Sequence, residues 1–237
     1  MPSLIHLSAD PAAVAADFAR YFAEELAENT GRFYVALSGG STPKLLFEHW
    51  TRYYTNSLDW SRVHFFWGDE RCVPPDDAAS NYGMTKRLFL EPAGIPATQV
   101  HRIRGEEDPF AEADRYAQEI REWVPSVDGL PAFDLIILGL GDDGHTASIF
   151  AHQMELLQTP TICAVATHPQ SGQQRITLSG TVINQAQRVA FLVTGAHKRE
   201  KVSAILKNRA ACLSYPAAHI QPVQGELHWF LDDAAYG

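Results

Sequence analysis

His145 is the side chain in this sequence best suited to move a proton near neutral pH, since an unperturbed imidazole titrates at about 6.5. It lies in Asp134-Leu135-Ile136-Ile137-Leu138-Gly139-Leu140-Gly141-Asp142-Asp143-Gly144-His145-Thr146-Ala147-Ser148, where an apolar run passes into a glycine-rich turn carrying two carboxylates. Such a run reads as a strand buried on both faces, as in a parallel sheet covered by helices. Ligands of such sheets bind just beyond the carboxyl ends of the strands. Gly139, Gly141 and Gly144 let the backbone turn sharply and approach a ligand. The plainer alternative is a histidine that caps a following helix or sits half-buried with its hydrogen bonds satisfied. The neighbouring Asp142 and Asp143, together with the strand-end position, favour chemistry.

Gly139, Gly141 and Gly144 also spell G-x-G-x-x-G, a dinucleotide fingerprint. Asp142 and Asp143 would place negative charge where a pyrophosphate must lie. The region about 20 residues onward, 161–168, holds no carboxylate for a ribose hydroxyl. A nicotinamide cofactor is therefore not expected.

A second turn has the opposite electrostatic character. In Phe33-Tyr34-Val35-Ala36-Leu37-Ser38-Gly39-Gly40-Ser41-Thr42-Pro43 a strand ends in paired glycines and hydroxyls before a proline suited to a first helical turn. Amides at a helix N-terminus point outward unpaired and the helix dipole favours an anion, so Ser38, Gly39, Gly40, Ser41 and Thr42 form a candidate phosphate cradle. The spacing of a nucleotide-triphosphate loop is missing. An ordinary turn with Ser41 or Thr42 as N-cap remains the alternative.

A third strand, Val63-His64-Phe65-Phe66-Trp67, closes on Gly68-Asp69-Glu70-Arg71. Arg71 could pair with Asp69 or Glu70, the common fate of adjacent opposite charges, or aim its planar donors at an oxyanion or phosphate. Arg175 opens another strand. Lys198 falls in the first turn of a helix expected over 196–207, where a cation opposes the dipole and calls for an anion. A bound phosphate, Glu200 or solvent could each supply the compensation.

These turns need a scaffold. Strands are expected at 33–37, 62–67, 134–140, 162–167, 175–178, 189–194 and 228–231, separated by helical stretches, the pattern of a parallel sheet wrapped by helices. The first helix runs over 10–29, with Val14, Phe18, Phe22 and Leu26 recurring every fourth residue, Asp10-Pro11 at its start and Gly31 past its end. Residues 76–81 and 105–108 read as polar loops near the site, and 126–131 as a turn before the central strand. The expected fold is α/β: one domain over residues 1–237, a Rossmann-like three-layer sandwich with a mainly parallel sheet covered by helices on both faces.

With 237 residues, 46% of them hydrophobic, the chain can bury one sizeable core. The formal charge of −9 opposes general binding to nucleic acid or an anionic membrane. An anionic substrate must then be drawn in by a local cluster, for which Arg71, Arg175 and Lys198 are the candidates. Cys72, Cys163 and Cys212 make neither a zinc spacing nor a disulfide framework, and free thiols in a reducing compartment are expected. The first residues lack a signal-type segment and no run is long enough to span a membrane, so the expectation is a cytoplasmic protein. Ten histidines include no H-E-x-x-H pair, and no metal is expected.

Taken together, Ser38-Gly39-Gly40-Ser41-Thr42-Pro43, Trp67-Gly68-Asp69-Glu70-Arg71, the 139–148 turn and Gly195-Ala196-His197-Lys198 resemble the 6-phosphogluconolactonases, in order across most of the chain. The related glucosamine-6-phosphate deaminases share the cradle and the D-G-H element. They carry an Asn-Glu-Pro stretch where this chain has Ile149, Phe150 and Ala151. The usual lactonase pattern has proline at the position of Ala151, a departure that bears on loop shape.

The resemblance implies cofactor-free hydrolysis of 6-phosphoglucono-1,5-lactone to 6-phosphogluconate, the second step of the oxidative pentose phosphate pathway. It implies His145 as the base activating water and Arg71 or a glycine-turn amide on the oxyanion. Asp69 would either orient His145 or bind a sugar hydroxyl. The cradle, with Asp143, Lys198 and Arg175, would bind the substrate. The oligomeric state stays open.

Overall fold

The computed structural model describes residues 3–207 and 210–237. In chain order the strands are β1 (Leu4–Ser8), β2 (Phe33–Leu37), β3 (Val63–Trp67), β4 (Asp69–Arg71), β5 (Ser126–Val127) and β6 (Leu130–Pro131). There follow β7 (Leu135–Leu138), β8 (Cys163–Thr167), β9 (Gln174–Leu178), β10 (Arg188–Val193) and β11 (Glu226–Asp232). The helices that matter here are α1 (Pro11–Glu28), α2 (Ser41–Tyr53), α3 (Asn81–Thr85), α4 (Pro109–Trp123), α5 (Gly180–Ile183) and α6 (Arg199–Leu206).

Six strands form one parallel sheet in the order β1-β11-β10-β7-β2-β3. Every residue of β2, β3 and β7 is buried, which explains their unbroken apolar composition. Helices cover both faces. On one face Phe22 of α1 meets Phe33 of β2 edge-on, and Trp50 of α2 packs beside it. On the other face Phe66 of β3 meets Tyr116 of α4. The Tyr116 hydroxyl donates to the carbonyl of Trp67 at 3.1 Å and accepts from its amide at 2.8 Å, fixing α4 where β3 leaves the sheet.

The helix expected over 10–29 is α1, with the Asp10 side chain accepting from the Ala13 amide and Pro11 in the first turn. Along it Val14, Phe18, Phe22 and Leu26 are all buried.

Three expectations require correction. The strands expected at 162–167 and 175–178 do not join the parallel sheet. As β8 and β9 they form a separate antiparallel sheet with β4, in the order β4-β9-β8. A parallel pairing needs a crossover of roughly a dozen residues or more, and the loop 168–173 is too short for one. Gly172, at φ +68°, helps it reverse. The helix expected over 196–207 is broken into a 3-10 turn, Ala196–Lys198, followed by α6. The turn at 126–131 contains a small hairpin of β5 and β6, with Asp128 and Gly129 both at positive φ. An edge strand, β1, is not anticipated from the sequence at all.

Strand order locates the site. From β2 the chain moves outward to β3, whereas from β7 it moves through β8 and β9 to β10 on the opposite side. The carboxyl ends of β2 and β7 therefore flank a switch in direction, where open α/β sheets place their ligand crevice.

Candidate active site

Two adjoining hollows open at this switch. One, of about 180 Å³, is lined by Ser38, Gly39, Gly40, Asp69, Arg71, Asn81, Gly139, Leu140, Gly141, His145, Thr146, Ala147 and Arg175. The other, of about 210 Å³, is lined by Gly39 to Pro43, Gly139, Leu140, Asp142, Leu192 to Thr194, His197 and Lys198. They share Gly39, Gly40, Gly139 and Leu140. The imidazole and the cradle, more than a hundred residues apart in sequence, thus meet across the glycines that end β2 and β7.

The 139–145 turn is closed on itself. The Gly141 amide donates to the His145 carbonyl at 2.8 Å, and the Gly144 amide to the Gly141 carbonyl at 3.0 Å. His145 Nδ1 lies 2.5 Å from Asp143 Oδ1, and the His145 amide donates to the same oxygen at 3.1 Å. That hydrogen bond holds the Asp143 carboxyl well below the usual carboxylate range. An ionised Asp143 accepts the Nδ1 proton and leaves Nε2 with its lone pair, the tautomer a base requires. The carboxylate bonded to the imidazole is that of Asp143 and not that of Asp69. No helix begins at His145: residues 146–149 close a tight bridge in which Ala147 adopts φ +46°, so the capping alternative is set aside.

Asp69 is buried and held from two sides. Ser148 Oγ donates to its Oδ2 at 2.7 Å, and Asn81 Nδ2 donates to its main-chain carbonyl at 2.9 Å and its Oδ1 at 3.3 Å. Arg71 makes no ion pair with Asp69 or Glu70 among the described residues; its Nη1 donates instead to the Ala79 carbonyl at 2.6 Å. Arg71 and Arg175 stand directly opposite each other on β4 and β9. Like charges so placed repel, and the Nε atoms of both are buried without a hydrogen-bond partner among the described residues. Burial pulls Arg175 below the usual guanidinium value, with Arg71 adding to the fall and Asp69 opposing it. The arrangement calls for an anion.

The cradle begins with Gly40, whose φ of +112° is a conformation side chains rarely adopt. Gly40 itself caps α2, so neither Ser41 nor Thr42 is the N-cap. The amides of Gly39, Gly40, Ser41 and Thr42 donate to no protein acceptor among the described residues. Thr42 is buried, its hydroxyl 2.9 Å from that of Thr194. The Ser38 hydroxyl donates to the Gly39 carbonyl at 3.3 Å. The expected cation cluster is split: Lys198 lines the cradle, whereas Arg175 lies with Arg71 on the imidazole side. Lys198 is compensated by Asp142, not by Glu200, which pairs with Lys201.

The family described as glucosamine-6-phosphate isomerases/6-phosphogluconolactonase matches residues 9–229. The chain belongs to this family. Two similar members are the 6-phosphogluconolactonases of Treponema pallidum, 44% identical over 84% of this chain and 83% of that protein, and Haemophilus influenzae, 44% identical over 85% of each. The structure of 6-phosphogluconolactonase from Trypanosoma brucei superposes with a TM-score of 0.86 at 31% identity, covering 99% of this chain and 97% of that one.

Within this family member, several residues that shape the site carry no signal of their own in the sequence. Glu70 is buried and accepts from the amides of Arg71, Asn81 and Tyr82, each at 2.8 Å, and from Ser80 Oγ at 2.9 Å. It thereby sets the loop that brings Ala79 to Arg71 and Asn81 to Asp69. Gly39 packs so tightly on Asn81 that a Cβ would fall 1.8 Å from its Oδ1. Behind His145 the floor is apolar: Ile149 and Phe150 are fully buried, and the Phe150 ring centroid lies 4.8 Å from that of the imidazole. Among the described residues no group of three or more His, Cys, Asp or Glu could hold a metal ion, and no helix is long and apolar enough to cross a membrane. Cys72, Cys163 and Cys212 are free thiols.

Proposed function

We propose that this chain is a 6-phosphogluconolactonase, hydrolysing 6-phospho-D-glucono-1,5-lactone to 6-phospho-D-gluconate, with His145 as the base. One observation carries the reading: the His145–Asp143 pair opens onto the same crevice as the unpaired amides of the cradle. The names of the similar proteins support it.

The phosphate is received by the amides of Gly39 to Thr42 at the start of α2 and by Lys198. Anchoring the far end of the sugar fixes the lactone carbon beside His145 and converts affinity into orientation. Nε2 takes a proton from water as its oxygen bonds to the lactone carbon, a contribution typically of about 10²–10⁴-fold. Negative charge then develops on the former carbonyl oxygen, facing the guanidiniums of Arg71 and Arg175, whose mutual repulsion the oxyanion relieves. The intermediate collapses by breaking the bond from the carbonyl carbon to the ring oxygen, and the imidazolium returns its proton to that oxygen. Asp69, engaged by Ser148 and Asn81, is left to accept from a sugar hydroxyl.

The same reading makes residues 1–237 one domain that works in the cytoplasm on a small phosphosugar lactone, without a cofactor and without nucleic acid or membrane as partner. The deciding experiment follows disappearance of the lactone with purified protein, subtracting spontaneous hydrolysis. Acceleration that is largely lost in His145→Ala, with phosphosugar affinity kept, supports the proposal. A rate no higher than buffer, or full turnover in a folded His145→Ala protein, refutes it. Ammonia release from glucosamine 6-phosphate would transfer the chain to the isomerase side of its family, a reading disfavoured by the apolar Ile149 and Phe150.

A further inference from the structure

Lys198 does not stand free in the cradle. Its ammonium is paired with Asp142, whose Oδ1 also lies 3.8 Å from His197 Nε2. The two partners differ in freedom: the lysine side chain is 15% exposed and the aspartate 79%. The fold fixes the cation, and the carboxylate is the partner able to swing into solvent. The hydrogen bond from Lys198 holds the Asp142 carboxyl below the usual carboxylate range. Both side chains line the same hollow as Gly39 to Pro43. An anion seated on the cradle amides therefore reaches Lys198 only by taking it from Asp142 or by sharing it.

We infer that Asp142 is a resident competitor of the phosphate group, occupying Lys198 while the cradle is empty and giving way when a ligand arrives. Its effect is to lower affinity and speed departure. A displaced Asp142 stands unpaired next to Asp143, close to the incoming anion, and like charges in that arrangement repel. This deepens the proposed function and rests on it for the identity of the ligand. Lactone hydrolysis adds a carboxylate to a molecule that already carries phosphate, so the product is the more anionic species. The penalty from a displaced Asp142 falls harder on product than on substrate, and the residue favours release.

The alternative role is opposite in sign. A carboxylate that served to aim Lys198 at the phosphate would strengthen binding, and its removal would weaken it. Calorimetric titration with inorganic phosphate at low ionic strength separates the two, using wild type, Asp142→Asn, Lys198→Ala and the double variant. Asp142→Asn, a substitution at an exposed position, is expected to bind phosphate about three- to fivefold more tightly, the scale of an exposed ion pair. Most of that gain should vanish in the Lys198→Ala background. Unchanged or weaker binding by Asp142→Asn overturns the inference. So does an equal gain in both backgrounds, which would reduce Asp142 to long-range repulsion. With 6-phosphogluconate as inhibitor the gain should exceed that for phosphate, and a smaller gain overturns the release argument. Wild-type protein that binds no phosphate overturns the inference together with the cradle. Phosphate binding without lactone hydrolysis overturns the lactonase reading alone.

Discussion

The His145 ring fills the space that a side chain on Gly141 would need. Their backbones are joined by a 2.8 Å hydrogen bond, and a Cβ on Gly141 would fall 2.1 Å from His145 Nδ1 and 2.7 Å from Asp143 Oδ1. The glycine that resembles part of a dinucleotide fingerprint is there to admit an imidazole and its carboxylate partner.

Gly141→Ala should therefore displace the His145–Asp143 pair while the strand before it stays in place. Accommodating one methyl in a packed site costs about 1–3 kcal/mol, which the chain should survive. Turnover is expected to fall by roughly two orders of magnitude, because the base loses its position and its tautomer partner. Steady-state kinetics beside a thermal melt check this. A folded Gly141→Ala protein with normal kcat would show that the pair is not needed.

Asp143→Asn keeps the shape of the turn but removes the charge that claims the Nδ1 proton. The amide can present its NH₂ to Nδ1 and stabilise the tautomer with its proton on Nε2, which cannot act as a base towards water. The expected result is a fall in kcat of about 10²-fold or more with little change in affinity for inorganic phosphate. Weakened phosphate binding with intact kcat would move Asp143 to the ligand-binding side, the role the family resemblance implies.

Both glycine-rich turns are legible in the sequence because a buried strand and the turn after it are contiguous, so the apolar run and the glycines are read together. The partners of those turns are not. Asp69 and Ser148 stand 79 residues apart in the chain, and Arg71 faces Arg175 only because β4 pairs with β9. Nothing local in the alternation of β8 and β9 says that they leave the main sheet; the shortness of the loop between them does. Glu70 looks like one member of a surface charge cluster until the fold wraps residues 80–82 around it. Asp142 and Asp143 look alike in sequence, yet the turn sends one to Lys198 and the other to His145.

A pH effect on stability should arise away from the site, at His64. It is buried, with Nδ1 3.0 Å from His101 Nε2, and His101 Nδ1 is in turn 2.9 Å from Oε1 of Glu119, whose Oε2 accepts from Arg115. Burial, then His101 and Arg32, push His64 down to about 4. The unfolded chain protonates this residue below about 6.5 while the folded chain resists, so its contribution is fully present above about 6.5 and is lost as pH falls towards 4. The total is roughly 3 kcal/mol on the scale of 1.36 kcal/mol per pKa unit. Urea unfolding between pH 7 and 4.5 should show a shallower decline for His64→Gln than for wild type, and parallel curves would defeat the assignment.

Glu70→Gln tests whether the loop around Arg71 is held by a charge or only by shape. Both Glu70 oxygens accept, one from the amides of Arg71 and Asn81 and the other from the Tyr82 amide and Ser80 Oγ. Burial pushes the carboxyl up and these donors pull it back. An NH₂ group in place of either oxygen meets donors with a donor, and each buried donor left unmet costs about 1–3 kcal/mol. The loop should then move, carrying Ala79 away from Arg71 and Asn81 away from Asp69 and Gly39. Stability is expected to fall by a few kcal/mol, and kcat in the folded fraction by roughly tenfold, because Arg71 loses its fixed aim at the oxyanion. Ser80→Ala removes one neutral donor to Glu70 and the hydroxyl that caps the Gly83 amide at the start of α3, while the three amides on Glu70 keep their acceptors, so it should lower stability by about 1–2 kcal/mol with kcat nearly unchanged. Equal kcat values for Glu70→Gln and wild type, measured where both are folded, would make Glu70 a support of the fold with no part in aiming Arg71.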